Sequence, residues 1–501
     1  MTRSFLTLHH LSFQYNSSIH PIIHDLSCQF EQGWTGIVGP NGCGKTTLLK
    51  LLTRELKPTS GTVELPGHVI YCEQRTYSKP ADLSNFMDDY SKSAFRIRSQ
   101  LKIEETWTDR WPTLSHGERK RLQLALVLHQ SPDILAVDEP TNHIDHVTRK
   151  TLLDALKSYR GIGLIVSHDR EFLDALCTHT LFMQDGNILF RKGSYSTVHT
   201  DLAHESAFKE HQALSVKRKM RRLQREVHQR AQKAAQADSK RSKKHIHRKD
   251  HDAKAKMDLA RLSGKDAVEG KIKKRLDSQM NRLEQTKQSI GWKKPSPKGI
   301  RIENTTCSNK LLFHIPSAEI PMGKRILRVP DLFVYSGDRI GLIGSNGFGK
   351  STLISYMIDN LPLGQDDTIY IPQEIDESTT HHLINDIQIL PKDQLAKLMT
   401  IISRLDSDPQ RVLETDLPSP GETRKLMLAR GIQKSPQLIV MDEPTNHMDL
   451  PSIELVEQAL DACNCALILV SHDYRFLENL HVDFWEIEKI DNTTNRVTYT
   501  N

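Results

Sequence analysis

Two short runs of this chain carry residues suited to gripping a polyphosphate. Gly39-Pro40-Asn41-Gly42-Cys43-Gly44-Lys45-Thr46 and Gly344-Ser345-Asn346-Gly347-Phe348-Gly349-Lys350-Ser351 each read glycine, four residues, then Gly-Lys-Thr/Ser. A loop of this kind turns its backbone N–H groups inward onto phosphate oxygens. The first cradle comprises Gly39, Asn41, Gly42, Gly44, Lys45, Thr46 and Thr47, and the second Gly344, Asn346, Gly347, Gly349, Lys350, Ser351 and Thr352. Lys45 and Lys350 suit the β- and γ-phosphates of ATP, and the hydroxyls of Thr46 and Ser351 suit Mg²⁺. An apolar strand precedes each loop, as this chemistry requires.

Further along, Ile134-Leu-Ala-Val137 runs into Asp138-Glu139, and Leu438-Ile-Val-Met441 runs into Asp442-Glu443. These are buried strands ending in paired carboxylates. The first acid of each pair, Asp138 or Asp442, suits the metal; Glu139 or Glu443 can orient or deprotonate an attacking water. His168 and His472 each follow an apolar strand and could hydrogen-bond the γ-phosphate and its water. A lone histidine there is usually structural, so these two count only as part of a repeated order. Gln74 and Gln373, each near the end of a short strand, suit both the metal and the water. The whole series recurs at an offset of about 305 residues, so one nucleotide-handling domain is present twice.

The elements that must position these residues follow from the alternation of short apolar runs and amphipathic stretches. Residues 1–198 and 299–501 both read as α/β domains with a largely parallel sheet. Residues 199–298 differ in kind. From Ser194 to Ser263 there is neither Gly nor Pro, and Val216, Met220, Leu223, Val227, Ala231 and Ala234 recur every three or four positions. Ile272, Leu276, Met280, Leu283 and Ile290 continue the stripe beyond a basic stretch, Ser239 to Lys249, that has no apolar period. The expectation is an antiparallel helical hairpin with arms of about 55–60 Å at 1.5 Å per residue. Gly264 and Gly270 should weaken or kink its returning arm.

Charge and composition narrow the function classes. The net charge is only +6 over 501 residues, yet more than two dozen Lys/Arg against about ten acids fall between Lys209 and Lys294. The flanking domains are therefore net acidic, and a strongly anionic partner is expected at the middle of the chain. The run could also be a solvated spacer, but a spacer needs neither a packing seam nor charge concentrated at its far end. No apolar run approaches the roughly 20 residues of a membrane span. The N-terminus lacks a signal-peptide core. Seven scattered cysteines fit a reducing compartment. Together these point to a soluble cytoplasmic protein.

The constellation resembles the ATP-binding cassette superfamily, whose signature motif is similar to Leu114-Ser115-His116-Gly117-Glu118 and Pro418-Ser419-Pro420-Gly421-Glu422. More narrowly, Asp-Glu-Pro-Thr-Asn-His-Ile-Asp at 138–145 and Asp-Glu-Pro-Thr-Asn-His-Met-Asp at 442–449 resemble the F subfamily, soluble translation ATPases with two cassettes on one chain. The resemblance implies cassettes packed head to tail within a monomer, sandwiching two ATP molecules with Mg²⁺. It places Ser419 and Gly421 opposite the first loop and Ser115 and Gly117 opposite the second, with Asp145 and Asp449 along the interface. It also implies that the linker hairpin reaches the ribosome's peptidyl-transferase region in the ATP-bound state. There it would touch rRNA and the P-site tRNA, with Lys243, Lys244, His245, His247, Arg248 and Lys249 nearest the RNA, and hydrolysis would release it. A housekeeping translation factor and an antibiotic-resistance factor both fit. The alternatives are the energy subunit of a membrane transporter, which has no use for such a hairpin, and a DNA-repair ATPase, whose zinc-binding cysteine pairs are missing. Three departures stand out. Pro418 replaces the usual leucine, Tyr15 can stack an adenine with no aromatic counterpart in the second cassette, and Lys79–Arg110 is too short for the arm some members insert.

Overall fold

A computed structural model describes residues 5–16, 18, 20–76, 78–142, 144–184, 186–240, 265–290, 310–364, 367–409 and 418–500. By its internal contacts the chain divides into two units, residues 199–296 and everything else. The larger unit holds both α/β repeats. In the first, the strands are β1 (Leu6–Phe13), β2 (Ile23–Phe30), β3 (Gly33–Val38), β4 (Ser60–Glu64), β5 (Val69–Cys72), β6 (Ile134–Asp138), β7 (Ile162–Val166), β8 (His179–Gln184) and β9 (Asn187–Lys192). Strands β5-β6-β7-β3-β8 pair in parallel in that order, and β9 closes the edge antiparallel to β8. Every residue of β6 and β7 is buried, as expected where helices cover both faces of a parallel sheet. A small antiparallel sheet, β2-β1-β4, lies apart from it in the hydrogen-bond pattern.

The second repeat has β10 (Leu311–Ile315), β11 (Ala318–Met322), β12 (Arg325–Val329), β13 (Leu332–Tyr335), β14 (Arg339–Gly344), β15 (Thr368–Ile371), β16 (Leu438–Asp442), β17 (Ala466–Val470), β18 (Asp483–Lys489) and β19 (Thr494–Thr500). Its parallel centre, β15-β16-β17-β14-β18, repeats the first order strand for strand. In both repeats the motif residues sit at the carboxyl ends of these strands, where open α/β sheets place their ligands.

Helix starts explain several motif residues in purely structural terms. Ser115 caps helix His116–His129 and Ser419 caps Pro420–Ile432, each in a reciprocal capping box with Glu118 or Glu422. Pro420 occupies the first turn, where its missing N–H costs nothing. Asp145 and Asp449 cap helices His146–Lys157 and Leu450–Asp461; Asp169 and Asp473 cap Arg170–Leu176 and Tyr474–Asn479.

The smaller unit is helical. One helix spans Tyr195–Lys240, its first turn belonging to the larger unit, and a second spans Lys265–Ile290. Gly270 lies inside the second helix and does not interrupt it. Val216 and Leu276 of the apolar stripe are buried, and Met220, Leu223, Val227, Ile272, Met280, Leu283 and Ile290 half-buried. The tip residues Lys243 to Lys249, and Gly264, lie outside the described residues. No described helix is long and apolar enough to cross a membrane.

Candidate functional site

Both glycine-rich loops connect a buried strand to a helix, β3 to Lys45–Leu52 and β14 to Lys350–Asp359. Gly44 and Gly349 stand at the helix starts with φ of 100° and 107°, where a side chain is strained. A Cβ there would also lie 2.4 Å from Ile22 Cγ2 or 2.3 Å from Met322 Sδ. Each lysine folds back onto its own loop. Lys45 Nζ donates to Gly39 O (2.8 Å) and Pro40 O (3.1 Å), and Lys350 Nζ to Gly344 O (2.7 Å) and Ser345 O (3.3 Å). Both ammonium groups thus lie over the carbonyls of their own loops.

The hydroxyl–carboxylate pairs expected to hold the metal are already assembled. Thr46 Oγ1 donates to Asp138 Oδ2 at 2.7 Å, and Ser351 Oγ to Asp442 Oδ2 at 2.8 Å. A hydroxyl and a carboxylate in contact are hard oxygen donors of the kind Mg²⁺ takes when nucleotide phosphates complete its shell, so these residues fit the ion. Among the described residues no cluster of three or more His, Cys, Asp or Glu offers a separate metal site.

The next acid in each copy is held in an unusual backbone conformation. Glu139 (φ 43°) and Glu443 (φ 51°) are left-handed, a state that costs a non-glycine residue on the order of 1–3 kcal/mol. The sheet enforces it. Glu139 N donates to Val166 O (2.9 Å) and Glu443 N to Val470 O (2.8 Å), extending the ladder one residue past each strand. Both side chains are buried, and their Oε1 atoms accept no hydrogen bond among the described residues. His168 N and His472 N approach the other oxygens at 3.3 and 3.4 Å, and His168 Nε2 lies 3.1 Å from Glu139 Oε1 without hydrogen-bond alignment. Burial pushes both glutamates up to about 8. The same burial, reinforced by Lys45 or Lys350, pushes His168 and His472 down to about 3, so both imidazoles are neutral.

The two sites then diverge. In the first, Asn41 leaves its own cassette: its N–H donates to Asp449 Oδ2 (2.6 Å) and its side-chain amide to His447 O (3.1 Å). In the second, Asn346 stays home, its Oδ1 lying 2.9 Å from His472 Nε2. A cleft of about 430 Å³ opens there, lined by Asn346, Gly347, Gly349, Lys350, Ser351, Thr352, Gln373, Asp442, Glu443 and His472 of the second cassette. The first contributes Thr141, Asn142, Ile144, Arg149, His168 and Asp169 to the same wall. Ser115 and Gly117 are not among the lining residues. Gly421 instead packs on the cross-cassette turn, where a Cβ would sit 2.8 Å from His447 O. Tyr15 reaches the first loop through its hydroxyl, 3.2 Å from Thr47 Oγ1, its ring edge-on to Phe13. Gln74 is exposed beyond β5.

Several residues at the sites escape motif reading. Tyr71 OH donates to Asp138 Oδ2 at 2.9 Å, and Tyr370 stands close enough to Asp442 for its own titration to be raised, chiefly by burial. The signal is that each tyrosine lies three residues before its glutamine. Lys120 is buried and donates to Glu73 O at 2.6 Å; Arg424, at the same distance after its signature serine, bonds Gln373 O and Asn446 O. These buried cations hold the two glutamine loops in place. Between cassettes, Arg170 forks onto both oxygens of Glu457, and Arg475 Nη1 meets Asp174 Oδ2 (3.1 Å) and Ser196 Oγ (2.6 Å). Tyr195, buried at the root of the long helix, donates to Glu454 Oε1 at 3.2 Å.

The family model described as ABC transporter matches this chain twice, over residues 23–142 and 327–446. The chain is 26% identical to the ribosome protection protein VmlR of Bacillus subtilis over 95% of its own length and 85% of that protein's. It is 28% identical to the erythromycin resistance ATP-binding protein MsrA of Staphylococcus epidermidis, covering 93% and 94% of the two chains. The chain carries two ATP-binding cassette domains, and these relatives are of the ABC-F type. A third ABC-F relative, the tylosin resistance ATP-binding protein TlrC of Streptomyces fradiae, is 27% identical over 94% of this chain and 95% of its own. Among solved structures, the archaeal ribosome recycling factor aABCE1, in complex with the stalk protein aP1, superposes with a TM-score of 0.63 at 18% identity, covering 97% of this chain and 89% of that one. That likeness speaks for the tandem-cassette fold.

Proposed function

We propose that this ABC-F chain is a ribosome-protecting ATPase that confers antibiotic resistance. It binds the ribosome with two ATP molecules between its cassettes, and its basic linker, residues 199–298, meets rRNA and the P-site tRNA. Its compartment on this reading is the cytoplasm. The observation carrying the proposal is that the motif residues of each cassette meet the other cassette: Asn41 bonds Asp449, and Asn142 and His168 share the cleft of Lys350. Nucleotide turnover on such a site reports on, and is governed by, the join between the halves. The names of VmlR, MsrA and TlrC supply the ribosome and the drug.

In the reaction, Lys45 and Lys350 turn from their loop carbonyls to the phosphates. Glu139 and Glu443, once deprotonated, take the proton of the attacking water through the oxygen that lacks a partner. His168 and His472, neutral, orient that water or the γ-phosphate; Gln74 and Gln373 assist from their loops. Mg²⁺, held through Thr46 and Asp138 or Ser351 and Asp442, would neutralise charge on the phosphates. Ser419 and Gly421, and Ser115 and Gly117, present helix N-termini to the γ-phosphate when the halves close fully. Loss of that phosphate releases the halves and with them the linker.

The test replaces Glu139 and Glu443 together by Gln. With ATP the double variant should cosediment with ribosomes and turn over at least a hundredfold more slowly; a variant that stays in the supernatant refutes the reading. Drug susceptibility of cells expressing the intact chain, compared with one lacking residues 237–250, then separates protection from a housekeeping role.

A further inference from the structure

Away from both nucleotide sites, the first cassette carries a surface with no part in the chemistry above. Helix Lys92–Gln100 is capped by Ser91, turns Ala94 and Ile97 into the core, and presents Lys92, Phe95 and Arg96 outward. Phe95 is 69% exposed and nearby Tyr90 is 90% exposed, among the most uncovered aromatic rings described in this chain. Both line a shallow depression of about 1050 Å³ whose wall also carries Lys92, Arg96, Arg98 and Arg160, and no carboxylate. Arg98 is anchored beneath, donating to the carbonyls of Phe86 (2.8 Å), Met87 (2.7 Å) and Asp89 (2.8 Å). Lys92, Arg96 and Arg160 are exposed and form no ion pair among the described residues. Of the nearby acids, Asp89 is turned to Ser91 and His129 (3.2 Å), Asp88 is exposed beside Tyr90, and Glu31 and Asp133 line an adjoining depression that Arg96 and Arg160 also border.

We infer that this surface is a second RNA contact, in which Phe95 and Tyr90 stack on unpaired bases while Lys92, Arg96 and Arg160 meet the phosphates. The combination decides the partner class. A protein-docking patch would surround its rings with apolar side chains, whereas here the neighbours are cations. Rings set among cations are the makeup of single-strand nucleic-acid platforms, where every base offers a face and every phosphate a charge. The inference rests on the ribosome reading for its RNA but not on the linker, and it adds the body of the first cassette to the contact.

The probe is a fluorescent single-stranded oligouridine titrated into the full chain without nucleotide. It is measured in the native protein and in one whose linker residues Arg218, Arg221, Arg222 and Arg225 are Gln. In both backgrounds, Phe95→Ala with Arg96→Gln and Arg160→Gln should weaken binding about tenfold or more and flatten the salt dependence by roughly two ions. Phe95→Leu alone should weaken it about fivefold, and basal ATPase activity should not change. Equal affinity of the triple variant and its parent refutes the contact, and an unaffected Phe95→Leu refutes stacking. Weakened ribosome binding with unchanged oligouridine binding assigns the surface to an acidic protein and overturns the RNA assignment. Failure of the native chain to cosediment with ribosomes in ATP, with oligouridine binding intact, sinks the ribosome reading and leaves this surface standing.

Discussion

Replacing Arg170 by Met should uncouple the cassettes. The side chains of Arg170 and Glu457 are 4% and 11% exposed, so solvent screens the pair little. The guanidinium forks onto both carboxylate oxygens and lies 3.6 Å from Asp473. Without it, Asn479 Nδ2, at 3.3 Å, is the side-chain donor left to Glu457 among the described residues. Breaking a buried pair on one side costs about 3–5 kcal/mol, which at 1.4 kcal/mol per tenfold is a factor of a hundred to several thousand. Burial already raises the Glu457 carboxyl, and losing Arg170 raises it further. A raised carboxyl stabilises the fold below its unfolded value and loses that contribution as pH rises through the folded value, so the deficit should be largest at neutral pH and shrink in acid. The assay is urea unfolding followed by circular dichroism. We expect the unfolding curve of the variant to shift to lower urea or gain a step relative to the native protein, and Arg170→Met with Glu457→Met to recover most of the loss, since apolar replacement of both partners is often neutral. A single variant losing less than 1 kcal/mol, or a double variant worse than the single, refutes the reasoning.

Three further outcomes follow from the sites. The kcat/KM for ATP should climb as pH rises through about 8, because Glu139 and Glu443 act deprotonated and burial holds them protonated below that range; a profile flat from pH 6 to 9 would remove them as bases. Gly44→Ala or Gly349→Ala should abolish nucleotide binding at its own site by calorimetry, since about 1–2 kcal/mol of backbone strain adds to the contact with Ile22 or Met322. Asp449→Ala should cost about 0.5–2 kcal/mol as a lost helix cap and also weaken ATP binding at the first loop, whose Asn41 it holds; Asp449→Asn should keep the cap, and unchanged affinity in both would make the Asn41 contact incidental.

The parallel sheets, the two loops and the acidic strand ends were legible because each depends on local pattern: an apolar run, a turn, a polar residue at a fixed offset. The repeat removed the ambiguity that a single loop would have left. The capping roles of Asp145, Asp169 and Asp473 lay in the same motif letters, but those letters do not distinguish a cap from a ligand. Tyr71 and Tyr370 were missed although their offset from Gln74 and Gln373 repeats, because a tyrosine in a buried strand looks like core. Lys120 and Arg424 lie one turn before the buried Leu124 and Leu428, but a charged residue near a helix start reads as solvent-facing. Arg170 and Glu457 are 287 residues apart, and no periodicity connects positions that only the packing of two domains brings together.

The root of the long helix has a practical meaning for anyone exchanging segments between members of this group. Tyr195 and Ser196 are hooked onto Glu454, Asp174 and Arg475, so the first helical turn belongs to the cassettes rather than to the helical unit that follows. A graft cut at Gly193 would import foreign hooks into a native socket. A graft cut after Val198 would carry only the helical unit.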